Sequence, residues 1–96
     1  MLTGKQRSYL KGLANNLNCT IQIGKEKISD AFLKQLDKML EDNELIKIHV
    51  LKNSMLDTKE TANDIAKKLN AEYVQAIGNK VILYRENKKE PVIVLP

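Results

Sequence analysis

One histidine and one cysteine are all that this chain offers for acid–base or nucleophilic chemistry near neutral pH, and neither has a motif partner. His49 lies in the alternating run Leu45 to Leu51, and Cys19 leads into Thr20 to Ile23. Both read as structural strand residues. A single thiol forms no internal disulfide and, without nearby Cys or His, no zinc site, which fits a reducing cytoplasm. The carboxylates are explained locally. Asp57 and Glu60 have the spacing of a helix cap, while Glu41, Asp42 and Glu44 cluster at a predicted helix end and read as structural or solvated. No phosphate loop of the hydrolase type and no dinucleotide fingerprint is present. The chain is therefore expected not to be an enzyme, and to use no cofactor, metal or small-molecule substrate.

The lysines are more informative. Gly24-Lys25-Glu26-Lys27 joins a predicted strand end to a predicted helix start, where backbone amides and the helix dipole favour a phosphate and two lysines stand beside them. Local sequence alone leaves two readings of this loop, a phosphate contact and an ordinary polar turn. Lys5, Arg7 and Lys11 fall mainly on the polar faces of the first predicted helix and would extend a basic surface, provided that helix packs near the loop. Lysine approaches a phosphate from many directions, so such a surface suits backbone contact better than base reading. The aromatic set of Tyr9, Phe32, Tyr73 and Tyr84 does not supply a stacking platform across a sheet.

These residues need elements to hold them. Thr3 with Gln6 forms a capping-box signature for a helix running to about Asn15, with Tyr9, Leu10, Leu13 and Leu17 at helical spacing. Thr20 to Ile23 reads as a short strand. Ser29 caps a second helix with the apolar stripe Phe32, Leu33, Leu36, Met39 and Leu40. Leu45 to Leu51 reads as a central strand, and Asp57 starts a third helix, with Ala62, Ile65, Ala66 and Leu69 inward and Asn70 at its end. Tyr73 to Ile77 and Val81 to Arg85 form a hairpin in which the Gly78-Asn79 pair takes positive φ. Val92 to Leu95 reads as an edge strand or a mobile tail. The order α-β-α-β-α-β-β predicts an α/β domain with a mixed four-stranded sheet: right-handed crossovers make the first three strands parallel and the hairpin adds an antiparallel fourth.

At 96 residues with no linker-like stretch, one domain over 1–96 is expected, with a core of about 2–86 and a tail of 87–96. Apolar residues are 43% of the chain and interspersed with charges, a globular pattern. The longest apolar runs fall far short of a membrane span, and no export signal is visible, so a cytoplasmic protein without a membrane partner is expected. Sixteen Lys and Arg against twelve Asp and Glu give a net charge of +4, which favours polyanions without demanding them.

Four segments in order carry a resemblance: Leu2 to Arg7, Gly24 to Ile28, Glu44-Leu45-Ile46-Lys47, and Val74 to Arg85. Together they resemble the CRM-domain proteins of the YhbY type over Leu2 to about Glu86. The resemblance implies a stand-alone RNA-binding domain similar in fold to the C-terminal domain of bacterial translation initiation factor three. Bacterial members of the family are associated with precursors of the large ribosomal subunit, and plant relatives act in splicing of organellar introns. The family's GxxG loop, thought to contact RNA, matches at Gly24, but Lys27 stands at the second glycine. A glycine there would permit positive φ and close backbone approach, whereas Lys adds a cation, so binding is expected to shift toward side-chain charge. Asn43 likewise stands where relatives often place His.

The expected function is binding of ribosomal RNA in large-subunit precursors, as an assembly factor. Gly24, Lys25 and Lys27 form the expected centre, Lys5, Arg7 and Lys11 the outlying phosphate contacts, and Lys47 and Arg85 open cases. Two other classes are weighed against it. A module docking on a ribosomal protein through its sheet or tail would depend on Val92 to Leu95 and not on the loop lysines. An enzyme would show a deep pocket with converging polar groups.

Overall fold

The computed structural model describes residues 2–17, 21–23, 29–51, 57–87, 89, 91 and 93–96. Helix α1 is Gly4–Ala14, α2 is Asp30–Asn43 and α3 is Thr58–Leu69; the strands are β1 Ile21–Ile23, β2 Leu45–Val50, β3 Glu72–Ile77 and β4 Lys80–Tyr84. Cys19 and Thr20, assigned to the first strand from sequence, lie outside the described residues. The caps form where the sequence places them. Gln6 N donates to Thr3 Oγ1 and Thr3 N to Gln6 Oε1, both at 3.1 Å, which satisfies two amides that the first turn leaves free. Ser29 Oγ accepts from Phe32 N, and Asp57 Oδ1 from Glu60 N at 2.8 Å. Asn70 ends α3 in the left-handed conformation, at φ 55°.

The sheet order is β1-β2-β4-β3. β1 pairs parallel with β2, and β4 runs antiparallel to both β2 and β3, so the first three strands share one direction as expected. The hairpin folds inward and puts β4 beside β2. Its composition accounts for this: Val81 to Tyr84 are all buried, which requires cover on both faces, whereas β3 is half-exposed and bulged between Tyr73 and Gln75, as suits an edge. In the connecting turn Gly78 has φ +56°, but Asn79 does not adopt positive φ; one residue without a Cβ is enough to reverse the chain here.

Alternation of side chains splits the core in two. Ile23, Ile46, Ile48, Val50, Val81 and Leu83 face α2 and α3, meeting Leu36, Leu40, Ala62 and Ile65. Leu45, Val74, Ile82 and Tyr84 face the other way and are covered by Leu10 and Ala14 of α1, with Leu2, Leu13 and Leu17 at the margin. Tyr9, expected in the α1 stripe, is 43% exposed, because the buried line runs through Leu10 and Ala14 and leaves position 9 about 100° to one side. Ile93 and Leu95 also pack on this second cluster. The described part of the chain end, 93–96, forms no strand: Ile93 and Leu95 pack at the rim of α1, Val94 is exposed, and Val92 lies outside the described residues.

Candidate nucleic-acid interface

The two faces of the molecule differ in charge as well as in cover. Neither α1 nor β1, β2 or β4 contains an acidic residue, while α2 carries Asp30, Asp37, Glu41 and Asp42, and α3 carries Glu60 and Asp64 behind its cap Asp57. The face of the sheet under α2 and α3 is lined by apolar side chains. The polar residues of β1, β2 and β4, namely Gln22, Lys47, His49 and Lys80, therefore all lie on the α1 side, together with Lys5, Arg7 and Lys11 of the helix itself. Folding converts a modest net charge into one basic face and one mixed, acid-rich face.

Lys5 is exposed in the first turn of α1, and Arg7 and Lys11 are half-buried. The Nε of Arg7 is enclosed with no hydrogen-bond partner among the described residues. Gly24, Lys25 and Lys27 lie outside the described residues, but the flanking Ile23 does not: Leu51 N donates to its carbonyl at 2.8 Å, and it pairs with Val50 at the end of the sheet where β1 and β2 finish. The start of α1 is at the opposite end. Leu2 and Gln6 border a cleft with Asn70, Glu72 and Tyr84, and Gln6 Nε2 donates to the Pro96 carbonyl. Lys5 therefore stands at the opposite end of the sheet from the Ile23 backbone, and Lys11 lies in the last turn of α1.

The two open cases are both engaged in the fold. Lys47 Nζ donates to the carbonyls of Ala14 and Leu17, at 3.3 and 3.2 Å, at the C-terminal end of α1, where a cation meets the negative end of the helix dipole. Arg85 donates to Asp37 Oδ1 at 2.6 Å, to the Asp37 carbonyl at 2.8 Å and to the Leu69 carbonyl at 2.9 Å, tying the middle of α2 to the end of α3.

Glu44, expected to be structural or solvated, is fully buried at φ 65°. Its carboxylate accepts from Asn87 N at 2.9 Å and from Ile93 N at 2.8 Å, and its carbonyl accepts from Arg85 N at 2.8 Å. This residue binds the chain end to the junction of α2 and β2. No local signal marks it, since its partners lie more than forty residues away. Beside it, Tyr84 is almost fully buried with its hydroxyl unpartnered among the described residues; burial first, then the Glu44 and Glu86 carboxylates, push its phenol above the ordinary value.

The cleft that holds Leu2 and Gln6 has a volume of about 460 Å³, with Glu72, Tyr84, Arg85 and Glu86 among its walls. His49 is not among its residues, and Arg85 is committed to Asp37 and Leu69. Among the described residues no three His, Cys, Asp or Glu side chains gather as a metal site, and no helix is long and apolar enough to cross a membrane.

Comparison with known proteins agrees with this architecture. The family model of the CRS1 / YhbY (CRM) domain matches residues 2–85. "Probable RNA-binding protein YqeI" of Bacillus subtilis is 41% identical over 96 residues, covering all of both chains. "RNA-binding protein" of Haemophilus influenzae is 34% identical over 95 residues, covering 99% of this chain and 95% of its own. The solution structure of the protein SAV1595 from Staphylococcus aureus superposes with a TM-score of 0.83 at 47% identity over the full length of both. With the three helices, the mixed four-stranded sheet and the match over 2–85 in agreement, the chain belongs to the CRS1 / YhbY (CRM) domain family.

Proposed function

We propose that this protein binds RNA through its α1 face, and that its RNA is the ribosomal RNA of large-subunit precursors, which it engages in the cytoplasm as an assembly factor. The segregation of charge carries the reading: Lys5, Arg7 and Lys11 share a face with Lys80 and His49, and among the helix and strands that build it only β3 contributes a carboxylate, Glu72, at the cleft end. Phosphates approaching there meet an excess of cations over carboxylates. The names of the relatives in Bacillus subtilis and Haemophilus influenzae support RNA as the polyanion. Gly24, Lys25 and Lys27, which follow Ile23 in the sequence and lie outside the described residues, belong to this reading as further phosphate contacts, with Lys27 a charge in place of the family's second loop glycine.

The protein acts as a binding module and not as an enzyme. In support, His49 stands on a sheet face outside the large cleft, and the cleft's arginine is tied to the fold. The test is sedimentation of the tagged protein in a lysate of its own source at low and high salt, beside the Lys25→Glu/Lys27→Glu variant. Salt-sensitive migration with large-subunit precursors, reduced in the variant, is expected. Wild-type protein remaining at the top of the gradient at low salt would overturn the ribosomal assignment.

A further inference from the structure

We infer that the part of the sheet left uncovered by α1 is a contact strip for unpaired nucleotides, formed by Gln22, His49, Lys80 and Ile77. The inference rests on the RNA-binding reading above and adds to it a site and a class of RNA. Helix α1 ends over the middle of β2, where Lys47 holds the carbonyls of Ala14 and Leu17. His49 lies two residues further along the same strand and on the same face, roughly 7 Å past that cap. Register then fixes its neighbours: Gln22 pairs with His49, His49 with Lys80, and Lys80 with Ile77. One row crosses all four strands, roughly 14 Å from edge to edge.

No element among the described residues covers this row. Gln22 and Lys80 are exposed, His49 is half-exposed, and Ile77 is 61% exposed, whereas the β-branched residues of β2 and β4 are all buried. The strip contains no acid, and it lies at the end of the sheet where β1 passes into the Gly24–Lys27 segment. Its chemistry is mixed. Lys80 suits a phosphate, Gln22 and His49 can donate to and accept from base edges, and Ile77 offers an apolar surface to a ribose or base face. A paired A-form helix keeps its bases stacked and its edges largely out of reach, so nucleotides in a loop, bulge or end supply the complementary groups. Charge complementarity thus selects nucleic acid, and the neutral and apolar members of the row select its unpaired form.

The test uses two labelled RNAs of equal length, a hairpin with a single-stranded loop and a blunt duplex, titrated by fluorescence anisotropy at fixed low salt. Wild type is expected to prefer the hairpin. Gln22→Ala/His49→Ala and, separately, Ile77→Ser should each weaken hairpin binding about fivefold or more, the scale of a lost hydrogen bond for the first and of a lost apolar contact for the second, and leave duplex binding unchanged. Ile77 is exposed on an edge strand, so its variant keeps the test intact even if the double variant folds poorly. Unchanged hairpin affinity in folded Ile77→Ser and Gln22→Ala/His49→Ala would overturn the strip while the RNA-binding reading stands. Failure of wild type to bind either RNA would overturn both.

Discussion

Replacing Glu44 by alanine should release the chain end and destabilise the whole domain. The carboxylate accepts two backbone N–H groups, those of Asn87 and Ile93, in a fully buried position. Hydrogen bonds to a charged group contribute about 1.5–3 kcal/mol each, so the gross loss is about 3–6 kcal/mol. Detachment of residues 87–96 lets both amides regain water and offsets part of this, leaving about 3 kcal/mol. For a domain of this size each kcal/mol moves the melting midpoint by about 4–8 °C, giving a fall of roughly 12–24 °C. Glu44→Gly loses the same bonds but removes the strain of a Cβ at φ 65°, about 1 kcal/mol, so glycine should melt several degrees above alanine. Thermal unfolding followed by circular dichroism, with the amide signals of Asn87 and Ile93 followed by NMR, measures both effects. Midpoints within about 3 °C of wild type for both variants, or alanine above glycine, would refute the reasoning.

Lys47→Ala and Arg85→Ala should each lower stability by about 1–2 kcal/mol, read from urea denaturation, and leave RNA affinity within about twofold, because their donors are spent on Ala14 and Leu17 and on Asp37 and Leu69. Tyr84→Phe removes a buried hydroxyl that has no partner among the described residues and should be neutral or stabilising by up to about 1 kcal/mol at pH 7. Because the folded phenol titrates above its unfolded value, its stabilising contribution is complete below the unfolded value of 10.0 and is lost as pH rises through the folded one; urea midpoints of wild type should therefore decline relative to Tyr84→Phe above about pH 10. Gly12 sits inside α1, and the space its missing Cβ would occupy is open for 4 Å around, so Gly12→Ala should raise stability by about 0.5–1 kcal/mol in the same assay.

Most of the fold is legible in short-range signals. The Thr3–Gln6, Ser29 and Asp57 caps and the stripes of α2 and α3 arise within a few residues of sequence, and each forms. Features decided by distant partners are not legible in this way. Nothing local to β4 states that it lies between β2 and β3, although its unbroken run Val81 to Tyr84 fits a strand covered on both sides. Glu44 looks like an ordinary helix-end acid until Asn87 and Ile93 reach it, and Lys47 and Arg85 look like surface cations until the ends of α1 and α3 come within range. For the candidate site, the lysines of α1 are legible as a basic patch, but the strip from Gln22 to Ile77 depends on register across four strands and on where α1 stops.

The central claim, that RNA docks on the α1 face, is tested most directly by moving the same charge on opposite faces. RNA affinity is measured against salt for wild type, for Lys5→Glu/Lys11→Glu on α1, and for Lys34→Glu/Lys38→Glu on α2, two variants of identical net charge. The α1 variant should bind at least about tenfold more weakly and show a shallower dependence of log affinity on log salt, by about 0.7–0.9 for each phosphate it no longer neutralises, while the α2 variant stays close to wild type. Equal losses in the two variants, or a larger loss from α2, would contradict it.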